Sequence, residues 1–404
     1  MISQLPTDWN LRVLETCLSV VLDYRGKTAL KATDGIPLLS AKVVHDGRID
    51  WGHLEFIAES DYDAWMRRGL PQPNDVVITT EAPLGEVAQL DARKVALGQR
   101  IIVLRGDPKY VDNSFLKHVL MSDYMQNQLR EKATGSTAQG VKQTELLKIL
   151  VPLPPLAEQR KIAAILSTWD EAITLTEQLI AALKRRKQAL MQLLLTGEAR
   201  FSEFEDAAWQ EHSFSELMMP ISRPEKVRPE KEYRLIGVRW YVQGAHIHEI
   251  RQGRDIITET LSQIQENDVI YNKMWASKAA FGIARGDHNG AYGTSEYPQF
   301  LALAGELHTD FMEYVYQTRD FQYQALSLCR GSTGRARLNP NDFLKIVLPM
   351  PDIQEQQKIT EVLQACDSEI DTQVQYLNTL ITQKRGLMQQ LLTGEIRVQV
   401  EEES

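Results

Sequence analysis

The sequence contains a long internal repeat. Residues 152–200 align without a gap onto residues 349–397 at a constant shift of 197, and 21 of the 49 aligned pairs are identical. This shift is far longer than the roughly 20–50 residues of a solenoid unit. The chain is therefore predicted to be a duplicated half-molecule. Such a molecule can present two similar surfaces to two copies of a partner, or to two half-sites of a ligand.

Both copies of the repeat are predicted to be long helices. Apolar residues recur at alternating steps of four and three, which is the heptad seam of a coiled coil. The seam residues are Ile162, Leu166, Trp169, Ile173, Ile180, Leu183, Leu190 and Leu194 in the first copy, and Ile359, Leu363, Cys366, Ile370, Leu377, Leu380, Leu387 and Leu391 in the second. Polar residues complete the seam at matching places, with Thr176 and Lys187 in one copy and Gln373 and Lys384 in the other. Two arrangements fit this pattern: antiparallel pairing of the two seams, which we favour, or packing of each helix on its own globular domain.

Signals for helix ends frame both copies. Prolines within 152–155 precede the first helix, and Asp352 with Glu355 forms a capping-box pattern before the second. Gly197 and Gly394 stand where a left-handed residue ends a helix. About 40 residues at 1.5 Å each predict a rod about 60 Å long.

The segments before the two helices are weakly related. Residues 39–42 resemble 236–239, which makes Lys42 and Arg239 equivalent, and short apolar runs among glycine and proline turns predict strands. We predict an α/β (α+β) fold with an internal pseudo-twofold repeat, in which two β-rich domains are joined by two long helices. The predicted boundaries are 1–151, 152–200, 201–348 and 349–404.

Composition restricts the class of protein. The net charge is −9, distributed as −1 over residues 1–150, +2 over 151–200, −4 over 201–347 and −6 over 348–404. A strong non-specific hold on nucleic acid is therefore excluded, and any DNA binding would need help from a partner. Three scattered cysteines predict neither disulfides nor a zinc site. The sequence has no secretion signal and no apolar run of membrane-spanning length, so we expect a cytoplasmic protein without membrane contact.

Motifs in both halves carry a resemblance to a known family. A Gly-Ser-Thr phrase at 135–137 is followed by LPPLAEQRKIAAIL and LMQLLLTGEARF, and the phrase at 331–333 is followed by MPDIQEQQKITEVL and LMQQLLTGEIRV. Over its whole length the chain resembles the specificity (S) subunit of type I restriction–modification systems. The resemblance implies two target-recognition domains that each read one half of a bipartite double-stranded DNA sequence. It also implies that the two helices set the half-site spacing and bind two methyltransferase (M) subunits, with which restriction (R) subunits associate. S-adenosylmethionine, ATP and Mg²⁺ are then implied for those partners, and no cofactor is implied for this chain.

Candidate DNA contacts follow from charge, hydroxyl groups and motif position. They are Lys42, Thr79, Arg100, Ser136, Thr137, Arg239, Lys273, Ser332, Thr333, Arg335 and Arg337. The equivalent cations Lys42 and Arg239 either contact DNA or end a solvated strand. The four hydroxyl residues of the Gly-Ser-Thr phrases either bind phosphate or cap a turn, whereas the two arginines that follow suit phosphate or guanine.

Three of these candidates depend on position within a resembling segment. Lys273 lies in the stretch 272–275, which resembles a family loop close to DNA, although Trp275 could instead belong to the core. Thr79 opens the corresponding first-half stretch 79–85, which is quite different in sequence. Arg100 belongs to a Gln-Arg pair that resembles one found in family domains of this first type.

Motifs for catalysis are missing. The sequence has no GxxxxGK phosphate loop, no Asn-Pro-Pro-aromatic methyltransferase motif and no glycine-rich turn for S-adenosylmethionine. Asp352, Glu355 and Lys358 open a predicted helix, which favours capping over a nuclease site, and His246 with His248 has no evident third metal ligand. We therefore predict a non-catalytic DNA-specificity subunit. The alternatives are a subunit of a methyltransferase-only or type IIB-like system, a stand-alone DNA-modifying enzyme, or a coiled-coil scaffold that does not bind DNA.

Overall fold

The structure is a computed structural model that describes residues 5–26, 28–135, 139–331 and 336–400. It divides into two compact units. Unit 1 comprises residues 1–178 and 375–404, and unit 2 comprises residues 179–374. Each unit thus contains one β-rich region, the first half of the long helix that follows it and the second half of the other long helix. The domain boundaries drawn from the sequence follow the chain instead of these contacts, and they stay a prediction.

Unit 1 combines small sheets with short helices. Its strands are β1 Asn10–Val13, β2 Leu18–Asp23, β3 Ile36–Leu39, β4 Val44–His45, β5 Arg48–Ile49, β6 Glu55–Ile57, β7 Val76–Thr80, β8 Leu84–Gln89, β9 Ala96–Leu97, β10 Ile101–Gly106 and β11 Leu150–Leu153. Its short helices are α1 Tyr62–Trp65, α2 Asn113–Met121, α3 Asp123–Lys132 and α4 Gln143–Leu146. The long helix α5 runs over Leu156–Leu195.

Unit 2 repeats this order of elements with additions. Its strands are β12 Gln210–Ser213, β13 Met218–Ile221, β14 Pro224–Lys226, β15 Glu232–Val238, β16 Ala245–Gln252, β17 Thr260–Gln263, β18 Val269–Tyr271, β19 Phe281–Ile283, β20 Tyr292–Gly293, β21 Gln299–Ala302 and β22 Val347–Met350. Its short helices are α6 Phe214–Leu217, α7 Phe311–Val315, α8 Arg319–Ser327 and α9 Pro340–Phe343. The second long helix, α10, runs over Ile353–Thr393.

The units share a framework and differ in what it carries. Sheet β2-β10-β7-β8 in unit 1 has the same strand order as β13-β21-β18-β19 in unit 2, and the pair β1-β11 corresponds to β12-β22. The remaining sheets differ, because unit 1 has the order β6-β3-β9 whereas unit 2 has the five-stranded order β14-β17-β20-β15-β16. One scaffold therefore holds two dissimilar surfaces.

The beginning of each long helix packs into a globular core and against the end of the other helix. In unit 1, Ile162 and Leu166 lie in one apolar cluster with Phe115 of α2 and Leu391 of α10. In unit 2, Ile359 and Leu363 lie with Phe321 of α8 and Leu194 of α5. Both arrangements considered from the sequence are therefore present together. Among the predicted seam residues Trp169, Leu190, Leu377 and Leu387 are half-buried, and the others are buried.

Polar residues that occur in both copies of the repeat hold these helix ends in place, in an arrangement that we call the lock. In unit 1, Arg397 donates to both carboxylate oxygens of Glu158 (2.7 and 2.8 Å) and to Asp8, and Trp9 Nε1 donates to Glu158 Oε2 at 3.2 Å. These carboxylates raise the pKa of Arg397, Glu158 first, while the Arg397 hydrogen bond lowers the pKa of Asp8. Glu158 is only 2% exposed, so its charge depends on these donors.

Unit 2 contains the equivalent lock. Arg200 donates to Glu355 at 3.0 and 2.6 Å, and Trp209 Nε1 donates to the same carboxylate at 3.0 Å. Asp352 caps α10 by accepting from Glu355 N at 2.8 Å. Among the hydrogen bonds described, the Glu355 side chain serves the lock instead of completing the predicted capping box.

Glutamines beside these glutamates tie each helix to its own unit. Gln159 donates to the carbonyls of Tyr110 and Pro154 and accepts from Asp112 N. Gln356 makes the same three contacts with Glu306, Pro351 and His308. The Glu-Gln pairs and the Gly-Glu-x-Arg endings of the repeat are therefore parts of one structural device that is used twice.

The polar seam positions form ion pairs across the helices. Lys384 of α10 binds Asp170 of α5, which also accepts from Lys117 at 2.6 Å. In unit 2, Lys187 of α5 binds the equivalent Asp367 of α10. Early residues of one helix thus meet late residues of the other in both units, which is antiparallel pairing. Paired polar groups at such positions fix helix register.

Candidate nucleic-acid interface

Two predicted residues of unit 1, Lys42 and Arg100, line one open cleft. The cleft is lined by Thr28, Ala29, Lys31, Leu38, Ser40, Ala41, Lys42, Glu55, Ala82, Gly98, Gln99 and Arg100. Lys42 is exposed in the short turn after β3, and Arg100 precedes β10. Arg100 is ion-paired with Glu81 at 3.0 Å, but both side chains are about half exposed, so a phosphate or base can compete for the guanidinium.

The cleft also contains Lys31, which the sequence did not single out, and Gln99, the other member of the Gln-Arg pair. Lys31 is exposed and pairs with Glu55 at 2.7 Å, and Gln99 donates to Thr28 Oγ1 at 2.9 Å. Their signal in the sequence was weak because β3, β9 and the turn after β9 bring together residues about 60 positions apart. Arg100 and Ala82 have positive φ angles of 66° and 44°. Side chains held in this sparsely populated region are common at binding sites.

Thr79 is a correction to the sequence-based list. It lies within β7 with no measurable exposure, and its hydroxyl accepts a hydrogen bond from Glu86 N at 2.9 Å. Every residue of β7 is buried, because one side of the sheet faces α2 and the other faces a second core. Thr79 therefore offers no surface to DNA in this structure.

Five candidates lie outside the described residues. Ser136 and Thr137 fall in the gap 136–138, and Ser332, Thr333 and Arg335 fall in the gap 332–335, so five residues of the two Gly-Ser-Thr regions carry no structural account. The flanking segments are described. Gly140 pairs with Thr134 and Glu81, and Arg330 pairs with Arg337, so each gap is closed by a short antiparallel bridge.

In unit 2, Lys273 and Arg337 both contact Glu296. Lys273 N donates to Glu296 O at 3.0 Å, and Arg337 is ion-paired with Glu296 at 3.0 Å. The Asn272 side chain accepts from Met274 N and Trp275 N, which makes a compact turn after β18. Trp275 is half-buried and packs on the apolar cluster that contains Ile236 and Ile270. The alternative that placed Trp275 in the core is therefore the one observed. Arg239 is exposed at the end of β15.

An aromatic tip next to Arg239 was not predicted. Residues 239–244 connect β15 to β16, and Trp240 and Tyr241 are 42% and 68% exposed. The Trp240 ring packs on Trp275 with 4.9 Å between centroids, and Tyr241 stands perpendicular to Trp240 at 6.4 Å. The equivalent residues of unit 1, one shift of 197 earlier, are the buried Val43 and Val44. We call Trp240 and Tyr241 the aromatic tip.

Two histidines, His246 and His248, lie on β16 next to the turn that carries the tip. His246 and His248 have ring centroids 5.9 Å apart, and burial, followed by the charge of Arg239, lowers the pKa of His246. In the described part of the chain, no group of three or more His, Cys, Asp or Glu side chains could hold a metal ion. Nor does that part contain a helix long and apolar enough to cross a membrane.

A second pair of clefts lies along the long helices. In unit 1 a cleft runs between Met388 and Gln389 of α10 and the start of α3, where Ser122 caps the helix. In unit 2 a cleft runs between Met191 and Gln192 of α5 and the start of α8, where Thr318 is the cap. The Met-Gln pairs are identical in the repeat, and both glutamines are exposed. We call these two surfaces the helix clefts.

Comparisons with known proteins all find similarity to specificity subunits of type I restriction systems. Residues 69–185 match the family model of the type I restriction modification DNA specificity domain. A relative from Methanocaldococcus jannaschii, named as the specificity subunit of type I restriction enzyme MjaX, is 24% identical over 427 aligned positions, covering 98% of this chain and 96% of the relative. The EcoKI specificity subunit of Escherichia coli K12 is 20% identical over 421 positions, covering 98% of this chain and 89% of the relative.

A solved structure supports the fold. The S subunit of a type I restriction–modification system from M. genitalium matches 96% of this chain and 98% of its own, with a TM-score of 0.57 and 15% identity. At that identity the likeness is one of fold alone. Together with the sheets and the paired long helices, it confirms the predicted fold class.

Proposed function

We propose that the chain is a specificity subunit of a type I restriction–modification system, in which its two units each read one half of a bipartite DNA target while two methyltransferase subunits bind its helices. A specificity subunit recognises DNA and leaves the chemistry to other subunits. The observation that carries the proposal is the duplicated framework: identical locks and seam pairs hold two different exposed surfaces. Identical parts suit a repeated partner, and divergent parts suit two unlike half-sites.

The lock residues explain why the strongest sequence marks are not DNA contacts. Glu158 and Glu355 are 2% and 1% exposed and are engaged by arginine and tryptophan. Their role is to hold each helix against its unit, so that the surfaces on the unit keep a fixed orientation. DNA contact is left to the exposed cations at the cleft of unit 1 and around the aromatic tip of unit 2.

Methylation sequencing tests DNA recognition directly. The chain is co-expressed with its methyltransferase partner, and total DNA is sequenced for modified bases. The proposal expects one motif with two short specified parts separated by an unspecified spacer. A contiguous motif would contradict the two-reader arrangement, and assembly without any sequence-selective modification would favour the scaffold alternative.

We assign the helix clefts to the two methyltransferase copies. Residues that touch two copies of one partner should be exposed and identical in both repeats, and Gln192 and Gln389 meet both conditions. Gln192→Arg and Gln389→Arg should each remove one partner copy, and the double variant should remove both. Native mass spectrometry of the complex measures this. Gln383→Arg, an exposed α10 position that is arginine in the other repeat, is the matched control and should keep two copies.

A further inference from the structure

The turn that presents the aromatic tip has an unusual sequence for its geometry. Gln243 N donates to Trp240 O at 3.3 Å, and the central residues Tyr241 and Val242 have φ angles of 56° and 55°. Two consecutive positive φ angles in a tight hairpin turn describe a type I′ turn, which normally takes Asn-Gly. A tyrosine and a β-branched valine are strained there. The turn therefore carries side chains that the local fold disfavours.

Backbone contacts hold this turn rigidly. Tyr241 N donates to Lys278 O and Val242 N donates to Ala279 O, both at 2.8 Å, and Arg239 N donates to Gly244 O at 3.0 Å. Trp240 is braced by Trp275. The Tyr241 ring stands perpendicular to Trp240 with 6.4 Å between centroids, and Tyr241 is 68% exposed. The turn thus presents an aromatic ring that is not packed into the core of unit 2.

The charges around the aromatic tip indicate what kind of partner would bind it. Arg239 is two residues before Tyr241, and the Lys278 carbonyl accepts from Tyr241 N. Both cations are exposed, and neither is ion-paired with any residue that the structure describes. A polyanion with flat apolar groups fits this combination, because cations neutralise phosphates while aromatic rings stack on bases. A rigid ring flanked by cations is also the design of side chains that insert at a base step.

Unit 1 has no aromatic residues at the positions equivalent to the aromatic tip, which argues against a methyltransferase subunit as the partner of the tip. A surface for two identical methyltransferase subunits should occur twice, but the equivalent positions of unit 1 are the buried Val43 and Val44. A half-site reader is where the units must differ. We therefore propose that Tyr241, braced by Trp240, stacks against a base of the second DNA half-site, with Arg239 and Lys278 on the adjoining phosphates. This rests on the proposed DNA-reading function.

The decisive variant removes the ring without harming the turn. Tyr241→Gly relieves the left-handed strain, so the chain should fold at least as well as the parent. The assembled complex should nevertheless bind its full target about 5- to 150-fold more weakly, since a base–aromatic stack is worth roughly 1–3 kcal/mol. Tyr241→Phe keeps the ring and should bind within about twofold of the parent. The matched control is Tyr323→Ala, which changes an exposed tyrosine of unit 2 and should leave affinity unchanged. Alanine is chosen because glycine would destabilise helix α8, in which Tyr323 lies.

Three duplexes separate the outcomes: the full target from methylation sequencing, one with a scrambled second half-site and one with a scrambled first. The loss in Tyr241→Gly should persist when the first half-site is scrambled and vanish when the second is. An equal loss on all duplexes, or parental affinity on the full target, overturns the base contact. If the parent complex prefers none of the duplexes, the proposed DNA-reading function fails instead.

Discussion

A buried cluster in unit 1 shows how single residues can link stability to pH. His118 of α2 has no measurable exposure and lies between Lys117 and the carboxylate of Asp170, with Nε2 3.4 Å from Ser167 Oγ. Burial, and then the charge of Lys117, lowers the pKa of His118 to about 3. Burial raises the pKa of Asp170, but Lys117 and Lys384 outweigh it and leave that pKa below its usual value. The folded chain therefore keeps a neutral histidine beside a charged aspartate.

The first prediction concerns acid. An unfolded His118 takes up a proton below about pH 6.5 whereas the folded one stays neutral down to about pH 3, so acid favours unfolding throughout that window. Between pH 7 and 5 the parent should lose about 2 kcal/mol more free energy of unfolding than His118→Gln. Urea unfolding at the two pH values measures this. His45→Gln, at an exposed histidine, should behave as the parent; equal losses in all three would contradict the assignment.

The second prediction concerns the paired cations Lys42 and Arg239. Arg239→Glu in the assembled complex should weaken binding of the full target by about tenfold or more, because a phosphate contact becomes a repulsion. The effect should disappear on a duplex whose second half-site is scrambled, and Lys42→Glu should show the same pattern for the first half-site. Competition binding with assembly checked by size measures both. If an assembled Arg239→Glu complex bound its target with parental affinity, Arg239 would not be a DNA contact. Its equivalence with Lys42 would then be only structural.

At the scale of elements, the sequence predicted what depends on local pattern. The long helices, their seam and the glycines after them follow from periodicity and from backbone geometry, and Gly197 and Gly394 have φ angles of 72° and 75°. The burial of Thr79 was missed because packing on both faces of β7 is a tertiary property. The aromatic tip was missed because its turn lacks the Asn-Gly signal of its geometry. The Glu355 carboxylate was assigned to a cap because its arginine partner lies 155 positions away.

The two helix-ending glycines give the third prediction. A Cβ at Gly197 would have its nearest neighbour, Trp209, at 3.6 Å, whereas at Gly394 it would come within 2.5 Å of Pro6 Cγ. Both Gly→Ala variants incur the left-handed penalty of about 1–2 kcal/mol. Gly394→Ala must also displace Pro6, so it should lower the free energy of unfolding by at least about 1 kcal/mol more than Gly197→Ala. Urea unfolding compares them, and equal losses would mean that Pro6 yields freely.

At the scale of the whole molecule, the duplication separates what is shared from what is specific. The locks, the seam pairs Lys384–Asp170 and Lys187–Asp367 and the helix clefts occur twice. The cleft lined by Arg100 and the aromatic tip occur once each among the described residues. Shared features should therefore govern assembly, and single features should govern sequence choice.

Helix length gives the fourth prediction. Four residues inserted after Gln178 together with four after Val374 fall where both units end, so the contacts inside each unit are kept. Each helix then grows by about 6 Å. At about 3.4 Å per base pair the spacer between half-sites should lengthen by one or two base pairs, with both half-sites unchanged. Methylation sequencing reads the new spacer, and an unchanged spacer in an active complex would show that the helices do not set it.

Exchange of one recognition region tests the central claim most directly. Residues 201–347 are replaced by the equivalent region of another specificity subunit with a different known target, which leaves both long helices and the pairs Arg397–Glu158 and Arg200–Glu355 in place. Modified DNA from cells carrying the parent or the exchanged chain, each with the same methyltransferase partner, is then sequenced. The account predicts that one half-site changes to that of the donor while the other half-site stays the same. A change in both half-sites, or in neither, would contradict two independent readers on one duplicated frame.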